Sequence, residues 1–255
     1  MSYESLQSLE NKTVVITGGV GQVGLATSTL LASHGARIIA IVRKNIDRAN
    51  QLVSQLPNSH LNHLVVQASV TDTNSLKEAV IKIKETTNKV DILINAAGHT
   101  RNIFPENVTA LTDEIFDEIV STNLKGTFVV IREFIDLLKV SEDAVVVNLS
   151  STAGMRASKS NLAYGASKAG IDLITKTLGK NLAPTIRVVG IAPGYLEAPT
   201  SGAVKAPGVN ERLSEQSPLK RVGQGQDIAN AIKSVIMDAR FITGQTILVD
   251  GGISL

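Results

Sequence analysis

Residues 13–24 read Thr-Val-Val-Ile-Thr-Gly-Gly-Val-Gly-Gln-Val-Gly, an apolar run that leads directly into a glycine-rich turn. A strand followed by such a turn and then by a helix lets backbone N–H groups approach the phosphates of a dinucleotide. Glycine also marks ordinary tight turns, so the letters alone are a weak signal. Their position at the first strand and first helix is more specific. The stretch therefore predicts a dinucleotide-binding α/β domain.

Outward from this stretch, seven short apolar runs alternate with segments of helical periodicity. Most of the runs are continuous rather than alternating, which is typical of strands buried on both faces of a parallel sheet. The alternation predicts one doubly wound (Rossmann) α/β domain over 1–255, with a seven-stranded parallel sheet flanked by helices on both faces. The predicted strands are Thr13–Thr17, Arg37–Val42, Leu64–Ala68, Val90–Ala96, Ala144–Leu149, Ile186–Ile191 and Thr246–Val249.

Composition excludes several classes of protein. The 255 residues include no Cys, which rules out a disulfide scaffold, a thiolate zinc site and a cysteine nucleophile. The 25 basic and 23 acidic residues are too balanced to predict nucleic-acid binding. His60 and His63 lack further convergent ligands, so no metal site is predicted. The start of the chain has no basic-then-apolar pattern and no apolar run reaches about 18 residues, so we expect a soluble, cytoplasmic protein that binds no membrane.

One stretch, 195–220, is poorly patterned and rich in Pro, Gly, Ser and Ala. It could be a surface loop, but long loops in compact domains are more often functional. Because it directly follows the carboxyl end of a predicted strand, where ligands bind in open α/β sheets, we interpret it as a substrate lid.

The residues after the second strand bear on the choice of dinucleotide. An acidic residue there would bind the ribose of NAD, but this chain has Arg43 and Lys44 instead. These two cations could simply be solvated at a helix entrance. We favour charge-assisted contacts to a 2′-phosphate, with Arg43 as the bidentate partner, and so predict NADP(H) rather than NAD(H).

A candidate catalytic set follows the fifth strand. Tyr164 and Lys168 are spaced i, i+4, which places them on one face of a helix, and Ser151 lies at the preceding strand end. A free Tyr has a pKa of about 10 and is a poor acid or base near neutrality. We expect the Lys168 ammonium to lower the pKa of Tyr164, and Ser151 to hydrogen-bond a carbonyl or alkoxide oxygen.

With the glycine turn, these residues make the chain resemble the short-chain dehydrogenase/reductase family from end to end. Ser151 and the Tyr-Gly-Ala-Ser-Lys of 164–168 match its Ser…Tyr-x-x-x-Lys signature, and Asn123 matches its fourth catalytic residue. The resemblance implies that Tyr164 protonates a ketone oxygen while the reduced cofactor delivers hydride. It also implies that Lys168 holds the nicotinamide ribose and that Asn123 supports a water chain which resupplies the proton.

Three departures from the family pattern stand out. Gln22 replaces the middle glycine of the compact members' T-G-x-x-x-G-x-G, giving a spacing more typical of the larger, extended members. Ser69 stands where an adenine-binding Asp is usual. Ala198 stands where a Thr usually reaches the nicotinamide carboxamide, so backbone near Leu196, or Thr200, would have to replace it. The resemblance implies these cofactor-binding residues: Gly18, Gly21, Gln22, Val23, Gly24, Arg43, Lys44, Ser69, Val70, Asn95, Ala96, Gly98, Tyr164, Lys168, Pro193, Gly194 and Leu196.

The activity implied is NADP(H)-dependent reduction of a small-molecule ketone, or oxidation of a secondary alcohol, in a homotetramer or homodimer. Two alternatives remain open at this point. The glycine spacing is compatible with an extended-type isomerase or dehydratase, although 255 residues leave no room for its usual substrate domain. The three departures are compatible with a non-catalytic NADP(H)-binding protein, although the complete Ser-Tyr-Lys set argues against that reading.

Overall fold

Seven parallel strands form a single sheet in the computed structural model, which describes residues 6–197 and 208–255. In chain order they are β1 (Thr13–Thr17), β2 (Arg37–Val42), β3 (Leu64–Gln67), β4 (Ile92–Asn95), β5 (Ala144–Leu149), β6 (Ile186–Pro193) and β7 (Thr246–Val249). Their order across the sheet is β3-β2-β1-β4-β5-β6-β7. The strand order reverses between β1 and β4, and in such sheets the crevice at that point receives the ligand. The predicted doubly wound fold is confirmed.

Four of the predicted strands have the bounds observed here: β1, β2, β5 and β7. β3 and β4 are shorter than predicted because parallel pairing stops at Gln67 and Asn95, although the apolar letters continue. β6 is longer, since Ala192 and Pro193 pair with Leu248 and Val249 of β7. This extension carries the end of β6 toward the predicted cofactor site.

Eight α-helices are found in the described residues, and most of them cover the two faces of the sheet. α1, α2 and α8 pack into the apolar core on one face, whereas α3, α5 and α6 contribute to the core on the other. Both cores consist mainly of Val, Ile, Leu and Ala. The helices are α1 (Gln22–Ser33), α2 (Ile46–Ser54), α3 (Thr73–Lys84), α4 (Asp113–Val120), α5 (Gly126–Lys139), α6 (Leu162–Asn181), α7 (Val209–Gln216) and α8 (Gly225–Met237).

Two local features matter for the site. A π-helical segment, Ser121–Lys125, joins α4 to α5 and contains the buried Asn123; such bulges occur frequently at functional sites. The stretch 195–220 is not a loop throughout, because it includes α7. Residues 198–207, and with them Ala198 and Thr200, lie outside the described residues.

Two further findings concern membranes and metals. No helix in residues 6–197 or 208–255 combines the length and apolarity needed to cross a membrane. Within the same ranges, no three His, Asp or Glu side chains converge as a metal site would require.

Candidate active site

The glycine turn after β1 forms a cradle that only glycine can build. Gly18 has a left-handed φ of +66°, and a Cβ on Gly24 would lie 2.1 Å from the Gly18 carbonyl oxygen. Gly21 precedes α1 without a side-chain cap, and the first turn of α1 has no acidic residue. The N–H groups of that turn, including those of Val23 and Gly24, can therefore serve an anion such as a pyrophosphate. The residues present fit a dinucleotide.

Arg43 and Lys44 lie where the sequence places them, directly after β2, and both are exposed. β2 is next to β1, and the Gly18 N–H donates to Ile41 O at 2.9 Å, so the two cations belong to the same sheet edge as the glycine cradle. The carbonyl of Arg43 accepts a hydrogen bond from Gln67 at 3.2 Å, which fixes the main chain there. Two exposed cations at this point favour the binding of a phosphate over the binding of a ribose hydroxyl.

The ends of β3 and β4 form the next part of the crevice. The half-buried Ser69 hydroxyl is hydrogen-bonded to Thr71 at 2.9 Å, and Val70 packs against Gly126, where a Cβ would lie 2.9 Å from the valine. Asn95 is buried and donates to Asn148 of β5 at 2.9 Å, which ties the two strands together. After Ala96, a Cβ on Gly98 would come within 3.1 Å of Asn123 Oδ1. This glycine therefore lets the turn lie close to the helix that carries Asn123.

Pro193, Gly194 and Leu196 follow one another at the end of β6. The Gly194 N–H donates to Val249 O at 3.1 Å, and Leu196 forms a parallel bridge with Gly223. The side chain of Gln22, one of the predicted cofactor-binding residues, donates to the carbonyl of Glu197 at 2.7 Å. The structure thus places these residues at the same edge of the sheet as the glycine cradle.

Ser151 and Tyr164 are brought together by the loop after β5 and the first turn of α6. The Ser151 hydroxyl hydrogen-bonds Tyr164 and also accepts the N–H of Ala153 at 3.2 Å. Gly154 makes this approach possible, because a Cβ there would lie 2.7 Å from the Ala169 nitrogen on α6. The predicted pair therefore meets as expected.

Lys168, one helical turn after Tyr164, is 5% exposed. Its ammonium donates to Leu149 O at 2.6 Å and lies 5.6 Å from the centroid of the Tyr164 ring. Burial lowers the pKa of Lys168 to about 8, and the charge of Asp172 partly offsets this effect. The amine can thus lose its proton in mildly alkaline solution.

The predicted direction of the Tyr164 shift is wrong for this structure. Burial raises the pKa of the Tyr164 phenol, and the hydrogen bond from Ser151 lowers it only in part. The Lys168 ammonium donates to Leu149 O, and desolvation of the half-buried phenol is the largest effect on its pKa. Sequence spacing predicts that the two groups share a helix face but does not show how far that face is removed from water.

Asn123 is fully buried, and its amide is fully used. Its Oδ1 accepts the His99 N–H at 3.0 Å, and its Nδ2 donates to His99 O at 2.9 Å and to Ser167 Oγ at 3.2 Å. The side chain therefore fixes the turn after β4 against α6 rather than pointing to a substrate. Its predicted role in a water chain stays a prediction.

Asn161 is a positioning residue that the sequence reasoning missed. It is 1% exposed and caps α6 by accepting the Tyr164 N–H at 2.9 Å. Its Nδ2 donates to Arg101 O at 2.8 Å and to Thr100 Oγ1 at 3.1 Å, on the loop after β4. An Asn three residues before the tyrosine is a recognisable N-cap signal. Its second set of bonds is visible only in the structure.

A doubly wound sheet with a glycine cradle at its switch point, and with Ser, Tyr and Lys beside it, defines a dinucleotide-dependent oxidoreductase. A family model described as enoyl-(acyl carrier protein) reductase matches residues 19–254. The chain belongs to the short-chain dehydrogenase/reductase family and is an oxidoreductase that transfers hydride between a nicotinamide cofactor and a ketone or secondary alcohol. The predicted family and type of activity are confirmed.

Named relatives align along nearly their whole length. The chain is 33% identical over 249 residues to the 3-oxoacyl-[acyl-carrier-protein] reductase FabG of Thermotoga maritima, covering 96% of this chain and 98% of the relative. It is 31% identical over 252 residues to the 7alpha-hydroxysteroid dehydrogenase of Bacteroides fragilis, covering 98% and 97%. A short-chain type dehydrogenase/reductase from Mycobacterium ulcerans superposes with a TM-score of 0.88 at 25% identity, covering 97% and 91%.

Substitutions at Asn161 separate its two sets of bonds. Asn161→Ser keeps a side-chain oxygen that can cap the Tyr164 N–H but loses the amide donors to Arg101 and Thr100, and it adds no buried charge. We expect kcat to fall about tenfold, the effect of losing roughly 1.4 kcal/mol of positioning, while the thermal midpoint falls less than in Asn161→Ala.

Asn161→Ala removes the cap as well and should also lower the unfolding free energy by about 1 kcal/mol. Calorimetry and steady-state kinetics check both variants. An Asn161→Ser enzyme with wild-type kcat would show that the bonds to the β4 loop do not position Tyr164.

Proposed function

We propose that the protein is an NADP(H)-dependent ketone reductase or secondary-alcohol dehydrogenase in which Tyr164 is the general acid or base. The observation that carries this proposal is the meeting of Ser151, Tyr164 and the buried Lys168 at the same sheet edge as the glycine cradle. The alignment along nearly the full length of reductases and dehydrogenases favours it over the isomerase, dehydratase and non-catalytic alternatives.

In reduction, the Tyr164 phenol donates its proton to the carbonyl oxygen as negative charge develops there. Its raised pKa keeps the group protonated and ready to donate. When substrate binds, the Ser151 hydroxyl turns from the phenol, donates its one proton to the same substrate oxygen and holds it against Tyr164. Lys168, whose ammonium is held by Leu149 O, would contact the nicotinamide ribose. The nicotinamide, when bound, supplies or accepts the hydride.

The cofactor would be held by the residues that the sequence predicts to bind it. Gly18, Gly21 and Gly24 leave the N–H groups of the first turn of α1 free for the pyrophosphate, and Arg43 with Lys44 would hold the 2′-phosphate. Ser69 and Val70 would border the adenine, and Asn95, Ala96 and Gly98 the neighbouring ribose. The main chain at Pro193, Gly194 and Leu196 would contact the nicotinamide.

For the substrate, we propose a ketone bound between the loop after β4, the loop 155–162 and the segment 195–220 acting as a lid. Relatives named for a 3-oxoacyl thioester and for a hydroxysteroid both fit the secondary-alcohol class. We further propose that residues 1–255 form one domain and that the protein is cytoplasmic.

We also propose that the chain forms a homo-oligomer, a dimer or a tetramer. The outer faces of α4, α5 and α6 expose apolar side chains, including Phe116, Phe128 and Leu173, the last of which is 65% exposed. α4 and α6 pack along each other, so these side chains can form one surface. Burial of this face against a second copy would remove apolar area from water beside the active site.

The role of Tyr164 is tested by Tyr164→Phe, which removes only the hydroxyl. We expect kcat to fall by about 10²- to 10⁴-fold, because proton transfer by a positioned acid contributes that much. NADPH affinity, measured by fluorescence titration, should stay close to the wild-type value and so report an intact fold. Near-normal turnover would contradict the mechanism.

Cofactor choice is tested by Arg43→Asp. The ratio of kcat/KM for NADPH to that for NADH should fall about 10- to 100-fold, since a charged hydrogen bond contributes roughly 1.5–3 kcal/mol. Arg48→Asp, an equally exposed change on α2, is the matched control and should leave the ratio unaltered. If the two variants had equal ratios, a 2′-phosphate contact at Arg43 would be excluded.

Oligomerisation is tested by light scattering after size exclusion. The wild type should show a mass of two or four times the 27.0 kDa chain, and Phe128→Glu should reduce it, because burying an unpaired charge in an apolar contact is costly. Ile81→Glu, at a 62% exposed site on α3, is the control and should keep the wild-type mass. A wild-type monomer would refute the proposal.

A further inference from the structure

Gln22 has a place in this structure that the family pattern does not predict. It occupies the position of the middle glycine of the compact pattern, yet it is the first residue of α1 and adopts a helical backbone that any residue can adopt. The positions in this turn that require glycine are Gly18 and Gly24. A side chain is therefore tolerated at position 22, and its amide donates to Glu197 O at 2.7 Å.

The acceptor of this bond lies on a well-braced segment. The Glu197 N–H donates to Gly223 O at 2.8 Å, and the Gly223 N–H donates to Tyr195 O at 3.1 Å. The Glu197 carboxylate accepts from Gln224 at 3.4 Å. The segment 195–197 is thus paired with 223–224 on one side and held by Gln22 on the other.

The first turn of α8 closes the arrangement. A Cβ on Gly225 would lie 2.9 Å from the Gln22 carbonyl oxygen, so Gly225 allows α8 to rest against the main chain of Gln22. One residue therefore joins three segments: the glycine cradle, the segment after β6 and the start of α8. Its side-chain bond is a polar link between the first two, which are 175 residues apart in sequence.

We propose that the Gln22 side chain slows the release of the bound dinucleotide by holding the segment 195–197 to the glycine turn. We call this interaction the Gln22 clasp. The inference rests on the proposed function, in which the cradle holds the pyrophosphate and 193–196 the nicotinamide half. A ligand bound to both segments leaves more easily when they can separate, and the bond from Gln22 to Glu197 opposes that separation. Gln22 is then a positioning residue whose side chain acts through the protein.

The test is the dissociation rate of NADPH, followed by stopped-flow fluorescence on displacement with excess NADP⁺. Gln22→Met keeps the length of the side chain but has no donor, and we expect the dissociation rate to rise about five- to tenfold, as for the loss of one net hydrogen bond. Gln22→Gly, which restores the compact pattern, should behave alike. Gln51→Met, the same substitution at an exposed glutamine on α2, is the matched control and should release NADPH at the wild-type rate.

The outcomes separate the clasp from the proposed function. If Gln22→Met and Gln22→Gly release NADPH at the wild-type rate, the clasp is overturned. The proposed function still stands in that case, provided that the wild type binds NADPH and turns over. A rise in Gln51→Met as large as in Gln22→Met would also overturn it, because the effect would not then depend on the bond from Gln22 to Glu197 O. A wild type that binds no NADPH would overturn the proposed function and the clasp together.

Discussion

The burial of the Lys168 ammonium is the constraint on which the arrangement of this site depends. A charge removed from water costs several kcal/mol unless polar groups replace its hydration. Leu149 O accepts a hydrogen bond from Lys168 at 2.6 Å, and Asp172 adds an opposite charge one helical turn further along α6. The end of β5 and the first half of α6 are therefore held together by a group whose pKa still falls to about 8.

Glycines and buried amides allow the fold to accommodate the buried Lys168 ammonium. Gly98 and Gly154 let the loops after β4 and β5 approach the lysine and its helix where any Cβ would intrude. Asn123 and Asn161 then fix the β4 loop to α6, with every polar atom of their amides bonded. Two amides on different elements thus support one catalytic helix, which is how a site gains a fixed geometry.

Much of this could be predicted from residues alone, because parallel strands and helix spacing have simple periodicities. The bounds of β1, β2, β5 and β7 follow from continuous apolar runs, and the i, i+4 spacing brings Tyr164 and Lys168 to one face. Strand ends were less predictable, since β6 continues through Pro193 only because β7 offers it a partner. Long-range partners of this kind leave no periodic signal.

The same limit explains the error at the site. The expected fall in the pKa of Tyr164 considered only the nearby ammonium, whereas burial of the phenol determines the direction in the folded chain. The motif likewise does not reveal the partner of the Gln22 side chain, whose amide donates to a carbonyl 175 residues away, and the predicted contact of Gln22 with the cofactor stays a prediction. Local pattern identifies which groups are present, and tertiary structure decides what each of them faces.

The relatives that align with this chain at 33% and 31% identity are named for different substrates, a 3-oxoacyl-[acyl-carrier-protein] and a hydroxysteroid. In the proposed function, the groups that move the proton follow β5 or lie on α6, and both elements pack into the same apolar core. The loop after β4 belongs partly to this region and partly to the surface, because its backbone binds Asn123 and Asn161 while its Arg101 side chain pairs with Glu118 at the surface. If this loop lines the substrate site as proposed, changes in it can alter substrate choice only within the limits set by the two amides that hold the loop against α6.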